Sequence, residues 1–416
     1  MYHHVSGHCD NTMYLGNKPP RRRSGSNPIR VLILIILIGI GLYVLTVKPE
    51  AIPRPFQPTP TPTRTAANYA SEAEDFYREG QLTAAIEAYE QAIRRDPIII
   101  ENYIPLVRLL VFQSRFDEAR DYADTALFVD PDYAAAHAIR GMTMDWQSSQ
   151  LADQGREREA AELLREALSE VNKAIETDPT SAEAYAYLAE ILFDMGNYTQ
   201  ADEAIDTALL LDAKSLEAQR IAGYLMELRG YREEAIAHYQ EAIRLHPKLA
   251  MLHFVLGRTY VGTGDVNLAV DSLETTIELD SENPEYLYWL GYTYFTIGER
   301  DFAADYFQQA LEIKPDLAKA HCQLGLIYYQ QRNWEGAIPE LEMGVEGYGE
   351  LLTYRNAFCY YTLGLSYFYV ARCQDAYPLF EQVLELIPEN APALEGVRLC
   401  KEAEAQNPAV TPTPSP

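Results

Sequence analysis

Basic side chains are scarce in this 416-residue chain: 34 lysines and arginines face 61 aspartates and glutamates, a formal charge of −27. The imbalance is uneven. Residues 1–65 hold eight basic and two acidic side chains, a net of +6 that leaves −33 for the remainder, and no Lys/Arg cluster follows residue 65. So acidic a body repels a phosphate backbone, which excludes nucleic-acid binding as a main role. Cysteine is sparse too. Cys9, Cys322, Cys359, Cys373 and Cys400 form no CxxC pair and no metal-ligand spacing, so zinc and thioredoxin-like chemistry have no footing. Buried free thiols are the default expectation, with a Cys373–Cys400 bridge open if the body lies in an oxidising compartment. Catalytic signatures are missing as well: there is no GxSxG, no P-loop, no GxGxxG after a strand and no HExxH. His3, His4, His8 and Cys9 share a polar segment without hydrophobic pattern and are not read as a metal site. No enzyme activity and no cofactor are expected.

Long apolar runs are equally rare, with one exception. Val31 to Val47, VLILIILIGIGLYVLTV, carries no charge, and at helical rise its seventeen residues span about 26 Å, near the lower limit for a bilayer core. Thr46, Val47, Lys48 and Pro49 lack the small residues of a cleavage site, and no Cys follows, so an uncleaved anchor over 29–48 is expected. Lys18, Arg21, Arg22, Arg23 and Arg30 precede it, against Lys48, Arg54 and Arg64 spread beyond, which predicts an N-terminus inside and a body outside. Residues 1–28 read as a disordered tail, with a second Met-Tyr pair at Met13 as an alternative start. Residues 49–65 form a Pro/Thr stalk in polyproline geometry, long enough to hold the body roughly 50 Å away. Residues 406–416 repeat that chemistry as a disordered tail.

What fills the space between is periodic. Gly223, Gly257, Gly291 and Gly325 fall 34 residues apart, and Tyr260, Tyr294, Tyr328 and Ala235, Ala269, Ala303, Ala337 move with them. Leu256-Gly257, Leu290-Gly291, Leu324-Gly325 and Leu363-Gly364 repeat a pair, and Pro97, Pro131, Pro179, Pro247, Pro315 and Pro388 close the units. The pattern W-x2-L-G-x2-Y, A-x3-F, A, P resembles the tetratricopeptide repeat, a helix-turn-helix unit. That resemblance implies an all-α, right-handed α-solenoid with nine repeats starting near 66, 100, 134, 182, 216, 250, 284, 318 and 357, and a cap helix at 391–405. Together these cover about four-fifths of the chain. Small residues at the eighth and twentieth positions let the helices of a repeat cross closely, and Tyr or Phe at the eleventh and twenty-fourth fill between neighbouring repeats. Repeat three is 14 residues too long around 148–161, which predicts a lengthened hairpin. Gly344, Gly347 and Gly349, before five extra residues at 352–356, predict a loosened or bent helix. His137, His253 and His321 take the fourth position and are read as packing residues.

The resemblance also implies a concave groove walled by the second, fifth, ninth and twelfth positions. On this chain those supply Tyr224, Phe254, Arg258, Tyr288, Tyr292, Phe295, Tyr329, Phe358, Tyr361 and Phe368, expected to bind a partner. The first four repeats offer Ala70, Glu74, Ala135, Ala138, Glu183, Ala186 and Glu190, so the groove is expected to be small and acidic near the stalk and aromatic beyond it. No fifth position is Lys, which removes the carboxylate clamp of chaperone adaptors. In the stretch LYWLGYTYFTIGERDFAADYFQQALEIKP, Tyr294 and Phe307 are assigned to the core with Trp289 beside them, and Tyr288, Tyr292 and Phe295 to the groove. The expectation is a single-pass scaffold of a bacterial cytoplasmic membrane that holds a protein or peptide ligand outside. A cytoplasm-facing adaptor in envelope assembly and a cell-wall glycan binder are the alternatives.

Overall fold

The computed structural model describes residues 27–47, 64–349 and 352–406. The expected N-terminal tail up to residue 26, the stalk between 48 and 63 and the tail from 407 lie outside the described residues. The chain divides into two units, residues 1–63 and 64–416.

In the first unit a single helix, α1 (Pro28–Val47), carries the apolar run, with side chains such as Leu37 and Ile38 exposed along its length. It is long and apolar enough to cross a membrane.

Among the described residues the second unit holds nine helical hairpins and a last helix: α2 (Ala66–Arg78) with α3 (Leu82–Arg95), α4 (Tyr103–Phe112) with α5 (Phe116–Val129), α6 (Ala134–Asp153) with α7 (Glu157–Thr177), α8 (Ala182–Asp194) with α9 (Tyr198–Leu211), α10 (Leu216–Leu228) with α11 (Arg232–Leu245). They continue as α12 (Ala250–Thr263) with α13 (Val266–Leu279), α14 (Pro284–Thr296) with α15 (Arg300–Ile313), α16 (Ala318–Gln330) with α17 (Trp334–Tyr348), α18 (Ala357–Tyr369) with α19 (Cys373–Leu386), and α20 (Ala391–Gln406). No strand occurs among the described residues.

Local chemistry sets these ends. The tight turn inside each hairpin needs one left-handed residue, supplied by Gly80, Gly155, Gly196, Gly230, Gly264 and Gly298. Ser114, Arg332 and Ala371 adopt the same conformation without being glycine, at φ of 58°, 60° and 61°. Several hairpins end on a comparable device. The carboxylates of Asp130, Asp178 and Asp212 accept from the backbone N–H two residues on, turning the chain toward the next unit. Ser181 and Ser215 then cap α8 and α10 through the N–H groups of Ala184 and Ala218.

The fourth position of five units has a purpose that periodicity hides. Nε2 of His137, His253 and His321 lies 2.9, 2.8 and 2.9 Å from the carbonyl oxygens of Pro131, Pro247 and Pro315. Tyr103 and Gln219 donate in the same way to Pro97 and Ala213. These side chains satisfy a carbonyl that the end of the preceding helix leaves free, six residues earlier.

Packing follows from small residues at the helix crossings. The nine alanines at the twentieth position, Ala85 through Ala376, have no exposed surface. At the eighth position a Cβ on Gly223 would come within 2.6 Å of the Tyr239 ring, and one on Gly291 within 3.0 Å of Phe307. The twenty-fourth side chain therefore seats first on the eighth residue of its own hairpin; Phe380 also meets Gly396 of α20, so the filling between neighbours is only part of its work. One cluster of buried apolar side chains runs from Ala73 to Leu252 and another from Cys322 to Cys400, with smaller clusters between them.

The long third repeat has a simple origin. Helix α6 has 20 residues against 13 in α8, and α7 has 21 against 14 in α9, seven more in each case. Seven residues are close to two whole turns, so both helices lengthen without rotating their buried faces. The extension ends in the exposed segment 152–159.

Two expectations are corrected here. The helix holding Gly344 and Gly347 is continuous to Tyr348, because both glycines mark close approaches: a Cβ on Gly344 would lie 2.4 Å from Cys322 Sγ, and one on Gly347 2.9 Å from Ala318 Cβ. The four cysteines among the described residues are not free thiols. Cys322 is bonded to Cys359 and Cys373 to Cys400, with Cα atoms 5.3 and 5.5 Å apart. The second bridge joins α19 to α20, and the first ties α16 to α18 across the five extra residues.

Candidate binding groove

Within the repeat unit the solenoid winds back on itself. Glu79, at the tip of the first hairpin, forms an ion pair with Lys248, and the Tyr77 and His246 rings are 5.1 Å apart, so repeat one meets the loop between α11 and α12. The concave faces of the early repeats consequently line an interior. Buried there are charges that composition alone would send to solvent. Arg220, 5% exposed, donates to Glu190 at 2.9 Å and to Glu217 at 2.9 Å. Arg108 donates to Glu183 at 2.8 Å, with its Nε 3.6 Å from Glu217. Burial alone would lower the pKa of Arg220; Glu190 and Glu217 more than offset it and hold the guanidinium charged. The first half of the groove is thus a network of paired charges rather than a small acidic trough.

Next to this network lies a cavity of about 480 Å³. Asp145 and Trp146 of α6, Glu190 and Asp194 of α8, and Arg220 and Tyr224 of α10 form one side, and Phe254 and Arg258 of α12 contribute the other. Burial, reinforced by Glu190 and Asp194, pushes the Asp145 carboxyl well above the usual range. Asp194 is exposed to the cavity, yet enclosure by protein followed by repulsion from Glu190 pushes it up to about 7.

The residues expected in the groove fall into three places. Tyr224, Phe254 and Arg258 share the cavity wall. Phe254 is buried at 9%, against the expectation of an open groove side chain, because its ring packs 4.8 Å from Tyr286 beneath Arg258. Tyr288, Tyr292 and Phe295 form a half-buried patch along α14: the Tyr288 and Tyr292 rings stack at 6.2 Å, Trp289 meets both edge-on, and Lys319 lies 4.4 Å above Tyr288. Tyr329 and Phe368 flank the exposed Tyr369, which stacks on Trp334 at 4.2 Å, while Phe358 and Tyr361 pack against the C-terminal core. Phe307 is fully buried as expected. Tyr294, assigned to the core, is half-buried; it stacks on Tyr306 and donates to Glu274 at 3.1 Å, because its hydroxyl reaches an acceptor only at the rim.

Family models described as tetratricopeptide repeat match residues 76–142 and 151–223, and 254–318. The chain belongs to the tetratricopeptide repeat family. Human Tetratricopeptide repeat protein 6 is 25% identical over 215 residues, 51% of this chain and 38% of that protein. The human Mitochondrial import receptor subunit TOM70 is 26% identical over 137 residues, 33% of this chain and 20% of that one. The matches therefore span well under half the length of these relatives. Among solved structures, IFIT1 with m7Gppp-AAAA superposes with a TM-score of 0.50 at 15% identity, over 76% of this chain and 80% of that chain, a likeness of fold.

Asp145, Arg220, Arg108, Glu217 and Asp194 were missed as groove residues. Arg108, Asp145, Glu217 and Arg220 occupy the ninth, twelfth, second and fifth positions of their repeats, so the same rule applied evenly to repeats two, three and five would have found them. Asp194 is one residue past the twelfth position, and only the fold brings it to Asp145.

Proposed function

We propose that this tetratricopeptide repeat protein is a scaffold anchored through α1, with its repeats on the outer face of a cytoplasmic membrane, and that it holds a protein or peptide partner in its concave groove. The patch on α14 carries this reading. Tyr288, Trp289, Tyr292 and Phe295 remain half-buried: the Tyr288 ring rests 5.6 Å from the fully buried Phe307, and part of the patch stays open. Rigid amphipathic rings left partly open offer large contact area at little cost in rotamer entropy. The exported side is favoured by the two disulfides, which persist in oxidising compartments, and by the basic flank before α1. A photo-crosslinking residue at position 292 in living cells should capture a discrete protein, and Tyr288→Ala should abolish the capture. No capture at 292, with capture from the exposed 152–159 hairpin end instead, would place the interface elsewhere.

A further inference from the structure

The cavity beside Trp146 contains carboxyl groups that the protein itself does not match. Glu190 is paired with Arg220, whose Nε is in turn committed to Glu217. Across the cavity, Arg258 is engaged with Glu227 at 3.3 Å and lies over the Phe254 and Trp289 rings. Asp194 receives only hydroxyl hydrogen bonds, from Tyr224 at 3.4 Å and from Ser149. Asp145 is 2% exposed, and its Oδ1 has no hydrogen-bond partner although the side chain lines the cavity. Burying a carboxyl oxygen without a hydrogen-bond partner is unfavourable, and the buried Asp145 stands beside a second, exposed carboxyl, Asp194.

We infer that this cavity receives a basic side chain, lysine or arginine, from the partner segment lying in the groove. The inference rests on the groove reading and specifies its chemistry. Three observations favour such an occupant. A cationic head at Asp145 and Asp194 supplies the missing donor and the missing charge together. The half-buried Tyr224 ring on the cavity wall suits the aliphatic stem that carries that head, whereas Trp146 is already covered by Arg220 at 5.2 Å. The acidic body of the chain draws basic segments toward it over a longer range.

The test uses the full chain in zwitterionic detergent and a blocked pentapeptide with one lysine between alanines. Titration calorimetry is carried to about 10 mM peptide, where a complex of millimolar Kd is mostly formed. Binding is expected, and both Nε-acetylation of the lysine and Asp145→Asn should weaken it by about 10-fold or more, as loss of a charge-assisted hydrogen bond does. An arginine peptide that binds with the same dependence on Asp145 supports the assignment equally. If Asp145→Asn does not fold, as judged by its melting curve, Asp194→Asn takes its place with the same expectation. Absence of binding, equal binding of the acetylated peptide, or indifference to these substitutions would overturn the inference. The groove reading stands or falls separately, on capture at position 292: a captured partner that binds equally well with its basic residues replaced would refute only the cation pocket.

Discussion

Arg220 shows how much one buried charge can decide. Glu217 is 1% exposed and Glu190 5%, and both depend on the same guanidinium. Arg220→Ala strands the buried Glu190 and leaves Glu217 only the longer contact with Arg108 at 3.6 Å, so a loss of about 3–5 kcal/mol in chemical denaturation is expected. A loss below about 1 kcal/mol would mean that water already screens the pair. The left-handed turn residues allow the opposite experiment. Ala371 is exposed at φ 61°, where six equivalent turns use glycine. Ala371→Gly should stabilise the C-terminal repeats by about 1 kcal/mol, since it removes the Cβ clash of the left-handed region. Single residues are also where sequence reading stopped short. The histidines at the fourth position are read from sequence as packing residues; the structure adds a hydrogen bond to the carbonyl six residues back, which comes from the geometry of the loop and leaves no trace in a hydrophobic period. Tyr294 was assigned to the core because periodicity ranks a tyrosine as apolar and says nothing of where its hydroxyl can find an acceptor.

Helices and hairpins were far more legible. Where the chain repeats every 34 residues, Gly and Ala at fixed positions report the crossings directly, and the nine fully buried alanines lie where the period puts them. The long third repeat could be read as a lengthened hairpin, and dividing its excess into seven and seven explains why both helices keep their faces. Disulfides were less visible. Cys373 and Cys400 are near in sequence and invited pairing, whereas Cys322 and Cys359 belong to successive repeats and meet only because α16 and α18 pack side by side over Gly344. Loops of 37 and 27 residues are closed by the two bridges. Each should contribute about 3–4 kcal/mol by chain entropy. In a solenoid that effect stays local. Reduction is expected to raise hydrogen exchange in α18–α20 while leaving α2–α13 unchanged; uniform loss of protection would show that the repeats unfold as one unit.

Over the full length of the repeat unit, the interior owes its existence to contacts between distant turns of the solenoid. Gly80 has a positive φ of 76°, and a Cβ there would fall 2.2 Å from the Lys248 carbonyl oxygen. Gly80→Val should therefore separate repeat one from the loop between repeats five and six, at a cost of about 2–3 kcal/mol and with a larger radius of gyration by small-angle scattering. No period of 34 could announce this contact, because it depends on how small rotations between successive hairpins accumulate. The same accumulation turned a groove expected to be acidic at one end and aromatic at the other into a lined cavity followed by an aromatic patch. Whether that patch holds the partner is the central claim. Its most direct measurement is the affinity of the partner captured at position 292 for the full chain and for Tyr288→Ala/Tyr292→Ala. With melting curves unchanged, binding should weaken by about 30-fold or more, the loss of at least one central aromatic anchor. Equal affinity of the two proteins would contradict the account.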